Sequence, residues 1–136
     1  MPRRDFYHDT VKAALEKDGW QVTHDPLMLG DPELRVYADL CVTKTIGNTT
    51  QRLTIEIKVF GSYAKTSELE KAIGQYALYR SILKHDNAQI STYLAIPNHI
   101  YRTFFQKRIV RNVIQDENIK LIVFNPDTEE IEAWIE

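Results

Sequence analysis

A single cysteine, Cys41, among 136 residues excludes an internal disulfide framework and a cysteine-rich zinc site. An excess of positive charge is missing as well. Seventeen Lys and Arg against nineteen Asp and Glu leave a formal charge of -2. That excludes a protein held to nucleic acid by bulk cationic charge, although not one with a local basic patch. No uninterrupted apolar run approaches the ~18 residues of a membrane span. Behind the charged start Met1-Pro2-Arg3-Arg4-Asp5 there is no apolar stretch of the kind that makes a secretory signal. The five Gly and five Pro are scattered, so no linker or low-complexity tract divides the chain. A Gly-rich phosphate loop and a Gly-x-Ser-x-Gly elbow are also absent. What is there, 43% hydrophobic and 26% charged residues, is an ordinary globular balance. The expectation is one cytoplasmic domain over residues 1–136 with no membrane attachment.

Alternation and turn residues give an order of elements. Asp5 can cap a helix to about Asp18, with Phe6, Val11, Ala14 and Leu15 on its apolar side and Gly19 to end it. Residues 19–24 alternate like a short strand, and Pro26, Gly30 and Pro32 punctuate a loop. Residues 35–45 read as one strand, with Val36, Ala38, Leu40 and Val42 on one face. Residues 52–60 read as its partner, with Leu53, Ile55, Ile57 and Val59 on one face and Gly47-Asn48 as the hairpin signal. Ser67-Glu68-Leu69-Glu70 has the form of a capping box for a helix to about Lys84. A buried strand follows over 90–96, then a helix from Pro97 through Phe105 and another ending near Gln115. Strands over 120–124 and 131–135 close the chain, the last at a sheet edge. The order αβββαβα(α)ββ implies an α/β fold, a mixed α+β sheet with helices packed on it.

With Gly47 and Asn48 as the two turn residues, Asp39 stands opposite Glu56. Like charges at opposed positions of an antiparallel pair normally destabilise it. A divalent cation would account for the pair, because Mg²⁺ is commonly held by one or two carboxylates with waters and phosphate oxygens. Period-two geometry puts Lys58 on the same face as Glu56. That face then offers two carboxylates and a cation able to orient water or stabilise developing negative charge. The same alternation also fits a solvated strand face with Asp39 opposite by chance.

Asp39 followed by Glu56-Ile57-Lys58 resembles the split motif of the PD-(D/E)xK nuclease superfamily, whose core order αβββαβ matches the first two-thirds of the chain. Ala38 stands where the motif has Pro. Gln75 and Tyr79, four apart and so on one helix face, have the QxxxY form of the RecB-like branch. A closer resemblance runs nearly end to end. Tyr7-His8 with Val11-Lys12, Lys17-Asp18-Gly19-Trp20, Thr23-His24-Asp25-Pro26-Leu27, Asp39-Leu40, Glu56-Ile57-Lys58, Gly74-Gln75-Tyr76 and Val123-Phe124-Asn125-Pro126 are similar to the XisH family.

That resemblance implies a controlling factor for excision of the fdxN DNA element during heterocyst differentiation in filamentous cyanobacteria. An XisI-like protein, a site-specific recombinase and DNA are the implied partners. The nuclease resemblance implies Mg²⁺ (or Mn²⁺), with Asp39 and Glu56 holding the metal, Lys58 positioning water, and Gln75 with Tyr79 steadying substrate or the lysine. Where many resolvase-like relatives carry a Glu early in the first helix, this chain has His8. It is a candidate ligand or proton shuttle, though its place near a helix start favours a surface histidine.

Other residues carry less. His24-Asp25 and His85-Asp86 lack zinc-ligand spacing and read as turn residues, with His24 a rim contact. Cys41 alternates within an apolar strand and reads as a packed thiol. Arg102, Lys107, Arg108 and Arg111 form the densest basic cluster, beside the exposed-looking aromatic residues Tyr101, Phe104 and Phe105. They are candidate DNA-backbone contacts or simply a solvated helix face. Three readings follow: a metal-dependent endodeoxyribonuclease acting in programmed DNA rearrangement, a non-catalytic DNA-binding or protein-interaction module on the same fold, and an oligomer-forming domain. A homodimer is the expected assembly, since paired symmetry is common and suits symmetric DNA junctions.

Overall fold

The computed structural model describes residues 6–136; the expected Asp5 cap lies outside them. The elements are α1 (His8–Lys17), β1 (Gln21–His24), β2 (Leu27–Asp31), β3 (Leu34–Ala38), β4 (Leu40–Ile46), β5 (Thr49–Ile57), α2 (Lys65–His85), β6 (Ile90–Pro97), α3 (Asn98–Arg102), α4 (Arg108–Asp116), β7 (Lys120–Asn125) and β8 (Glu130–Ile135), with a 3₁₀ turn at Phe104–Gln106. Six strands form one mixed sheet in the order β1-β4-β5-β6-β7-β8, and β2 and β3 pair separately. Strand β5 is antiparallel to β4 and parallel to β6. Setting the small hairpin aside, the chain runs α1-β1-β4-β5-α2-β6, the expected αβββαβ order, and β8 lies at an edge as expected.

Two apolar layers sandwich the sheet. On one face Val11 and Leu15 of α1 pack with Trp20, Val42, Ile55, Tyr93 and Phe124. On the other, Leu69, Ala72 and Tyr76 of α2 pack with Leu94, Ile96, Phe104, Phe105 and Val110. Three helices stop on a left-handed residue just past their ends: Gly19 at φ 91°, Asn87 at 54° and Asn118 at 52°. This conformation satisfies terminal carbonyls and suits Gly and Asn best.

The departures from expectation have local causes. The stretch around Pro26, Gly30 and Pro32 is a β-hairpin, not a loop; Asp31 Oδ1 accepts the Glu33 and Leu34 N–H groups at 2.9 and 3.1 Å and closes its turn. Residues 35–45 are not one strand: β3 belongs to the small sheet, β4 to the large one, and the chain changes sheet at Asp39. Helix α2 starts at Lys65, two residues before the expected cap. Ser62, not Ser67, bridges its entry, donating to Glu68 Oε2 at 2.8 Å and accepting the Ala64 N–H at 3.1 Å. Phe6 precedes α1 and is exposed, whereas Phe104 and Phe105, which looked exposed, are core residues against Phe60.

Candidate functional site

Strand direction gathers the site residues at one end of the sheet. Strands β5, β6 and β7 run parallel, and β1 is antiparallel to β4 and so runs with them. Their carboxyl ends, at His24, Ile57, Pro97 and Asn125, share that end with the start of β4. Crevices beyond carboxyl strand ends are where sheets of this kind place their chemistry.

Asp39 is the residue at which the chain changes sheet, and its Oδ2 accepts the Ile57 N–H at 2.7 Å. The ladder pairs Leu40 with Ile55, so the next step sets Asp39 against Glu56, as the turn residues require. Glu56 is only 5% exposed. Burial, and then the charge of Asp39, push the Glu56 carboxyl up to about 7. Burial also raises Asp39, outweighing the Ile57 N–H and the fields of His8 and Lys58. These are two carboxyls that resist being charged together.

The next shell of side chains answers that tension. Lys58 Nζ lies 3.5 Å from Glu56 Oε2. From α2, the Tyr79 hydroxyl lies 3.1 Å from Glu56 Oε1 and 2.9 Å from the Tyr37 carbonyl oxygen. Burial, followed by the charge of Glu56, raises the Tyr79 phenol, and the Gln75 amide against it acts the other way. The Oε1 atom of Gln75 is buried without a hydrogen-bond partner. Asp39, Glu56, Lys58, Gln75 and Tyr79 therefore form one chain of neighbours at one end of the sheet.

His8 is not a surface histidine. It is 4% exposed on the buried face of α1, with Nε2 2.8 Å from Asp25 Oδ1 and Nδ1 buried without a partner. Lys12, one turn along, donates to Asp25 Oδ2 at 2.8 Å. Burial alone would raise the Asp25 carboxyl, but the hydrogen bonds from Lys12 and His8 bring it below the ordinary carboxylate range. The charges of His8 and Asp25 both act on Asp39, so this trio adjoins the cleft. Asp25 and Lys12 were missed from sequence. The four-residue spacing of His8 and Lys12 was the available signal, since it places both on one helix face.

The basic cluster goes elsewhere. Arg102 stands 3.6 Å from Glu132, Lys107, Arg108 and Arg111 are exposed, and none of the four figures in the electrostatics of Asp39 or Glu56. Cys41 is a buried free thiol, as expected. His85 ends α2.

The donor set at the cleft suits a hard divalent cation. Both carboxylates offer oxygen, both are destabilised as anions, and the unpartnered Gln75 Oε1 and His8 Nδ1 are groups that a cation's waters can satisfy. Among the described residues no group of three His, Cys, Asp or Glu side chains is placed to hold a metal ion, so a cation here would rest on the two carboxylates, with water or phosphate completing its shell.

The architecture is a mixed sheet flanked by helices on both faces, with Asp39 and Glu56 opposed at one end of it. The chain belongs to the XisH family: the family model described as "XisH protein" matches residues 1–132. It is similar to the crystal structure of an XisH family protein from Nostoc punctiforme PCC 73102, at 32% identity and a TM-score of 0.85 over 97% of this chain and 100% of that one. It is also similar to a fdxN element excision controlling factor protein from Anabaena variabilis, at 33% identity and a TM-score of 0.86 over 98% of this chain and 100% of that one. No curated protein matches by sequence. No described helix is long and apolar enough to cross a membrane.

Proposed function

We propose that this protein is a DNA-excision controlling factor whose cleft is a PD-(D/E)xK-type phosphodiesterase site. The observation that carries the proposal is a buried Glu56 set against a half-buried Asp39 as a like-charged pair, with Lys58 beside them. Buried carboxylates need partners, and Lys58 supplies only one positive charge. The excision setting comes from the family and from the name of the Anabaena relative.

In this reading Asp39 and Glu56 hold Mg²⁺ or Mn²⁺. When bound, the ion would supply charge stabilisation at the phosphate and lower the pKa of water. Lys58 orients the attacking water and takes up negative charge developing on the phosphate. Tyr79 and Gln75 hold the Glu56 carboxylate in place from α2, and the His8–Asp25–Lys12 trio fixes the α1 side of the cleft. A new phosphorus–oxygen bond forms to water as the bond to the leaving ester oxygen breaks. An XisI-like protein and a recombinase are the partners through which such cutting would serve excision.

The test is cleavage of branched, linear and single-stranded DNA with Mg²⁺ or Mn²⁺ by the wild type, Glu56→Ala and Lys58→Ala. Cutting by the wild type and loss in both variants is expected. Cutting that survives Glu56→Ala excludes this cleft as its source.

One observation favours a second reading, a non-catalytic module. Both Glu56 oxygens already have neighbours, Lys58 and Tyr79, so the cleft can persist without metal. Calorimetry separates the two, since only the first gives a metal isotherm that Glu56→Ala abolishes.

A further inference from the structure

The β2–β3 hairpin, unforeseen from sequence, has two unlike faces. Alternation sends Leu27, Leu29, Val36 and Ala38 inward, against Tyr79 and Leu83 of α2. The other face carries Met28 paired with Tyr37 and Gly30 paired with Arg35. Met28 and Tyr37 are 53% and 54% exposed, and Arg35 is exposed as well. The place opposite Arg35 is kept bare by the backbone: Gly30 sits at φ +100°, and a Cβ there would stand 2.1 Å from the Leu34 carbonyl oxygen. The result is an open two-stranded platform bearing a phenol ring, a thioether and a guanidinium.

This platform adjoins the cleft. Tyr37 is two residues before Asp39, and its carbonyl shares the Tyr79 hydroxyl with Glu56. A second ring, Tyr63, is fully exposed five residues past Lys58, on the segment leading to α2. Large apolar groups left in water around a functional cleft contribute nothing to the core and mark a contact surface. Charge narrows what that surface contacts. Lys12 and Lys58 are already engaged by Asp25 and Glu56, and the chain as a whole is negative. Duplex binding draws mainly on cation–phosphate contacts, and both of these lysines are already held in ion pairs. Unpaired bases offer another source of affinity, because each has a face that stacks on an aromatic ring. A guanidinium beside such a ring suits the adjoining phosphate.

The geometry points to the β2–β3 face as a stacking platform for an unpaired nucleotide strand, with Tyr37 and Met28 against base faces and Arg35 on the phosphate. This deepens the proposed function and rests on it for the identification of DNA as the substrate; it selects single-stranded or frayed DNA over intact duplex.

The experiment is fluorescence anisotropy of a labelled oligothymidine and of a blunt duplex of equal length, in EDTA so that cleavage plays no part. The wild type is expected to prefer the single strand. Tyr37→Ala should weaken single-strand binding roughly tenfold, the scale of one lost stacked base, and leave the thermal midpoint unchanged. Tyr37→Trp should restore binding, and Arg35→Ala should reduce its salt dependence. Unchanged single-strand binding in Tyr37→Ala, equal loss on duplex, a preference for duplex, or no binding of either by the wild type would each overturn the platform. Loss of self-association in Tyr37→Ala with oligonucleotide binding intact would assign the face to a second copy of the chain and overturn it too. The cleavage reading fails separately: a wild type that binds single strands in EDTA yet cuts nothing with Mg²⁺ or Mn²⁺ keeps the platform and loses the nuclease.

Discussion

The Tyr79 hydroxyl lies 3.1 Å from Oε1 of Glu56 and donates to it, tying helix α2 to the buried carboxyl. A phenol has one proton to donate. The Tyr37 carbonyl, which can only accept, is closer at 2.9 Å. The phenolic proton is therefore shared between two acceptors, and its donation to Glu56 acts to lower that carboxyl. Burial and the charge of Asp39 outweigh that donation and push Glu56 up to about 7.

A pH dependence follows for the metal-free protein. A carboxyl whose folded pKa is raised binds more protons folded than unfolded, so stability falls as pH rises between the two values. For Glu56 that window runs from its ordinary 4.5 to about 7, and Asp39 is shifted in the same direction. The loss is on the order of 3 kcal/mol for Glu56 alone. Denaturant unfolding at pH 5 and pH 8 is expected to show the protein weaker at pH 8, with most of the difference gone in Glu56→Gln. A flat wild-type profile would contradict the raised carboxyl.

Removing the Asp25 carboxylate strands a buried imidazole. His8, 4% exposed with Nδ1 already unpartnered, would lose its Nε2 partner as well. Asp25→Ala is expected to cost about 1–3 kcal/mol in urea unfolding, the penalty for a buried polar group left unsatisfied. In a double-mutant cycle, His8→Ala and Asp25→Ala should be clearly non-additive. Additive effects would mean the 2.8 Å contact contributes no stability.

Phe60 is a bulky residue in the left-handed region, at φ 53°. Its ring is fully buried against Phe104 and Phe105 and anchors the segment that follows Lys58. Phe60→Ala is expected to cost about 3–5 kcal/mol through the cavity it leaves. Phe60→Gly leaves a cavity at least as large but relieves a backbone strain of about 1 kcal/mol. The glycine variant should therefore be no less stable than the alanine variant, against the usual ranking. Thermal melts of the two proteins decide it.

Local chemistry made some of this molecule legible in its sequence. Gly47-Asn48 imposes a turn, the turn imposes a register, and the register brings Asp39 to Glu56 without any knowledge of the rest of the fold. The exchange of sheets at Asp39 was hidden because alternation runs unbroken from Val36 to Val42, and period two cannot say which sheet a face belongs to. Pro32 and Gly30 looked like loop residues because a hairpin and a loop use the same turn chemistry. His8 shares a buried helical face with Val11 and Leu15, so its burial was readable from spacing. Its partner Asp25, seventeen residues on, was not, since nothing local links the end of β1 to the start of α1.

Helix α1 has ten residues, too few to persist in water by itself. It exists while Val11, Ala14 and Leu15 stay docked on the sheet, and among the described residues no other helix shares that core layer. Undocking would carry off His8 and Lys12 and bare the sheet face beneath. Such partial openings lie below global unfolding in free energy. The contact between α1 and Asp25 thus depends on one short helix staying docked, and a molecule that captured the bared face would part His8 and Lys12 from Asp25 without touching Asp39 or Glu56.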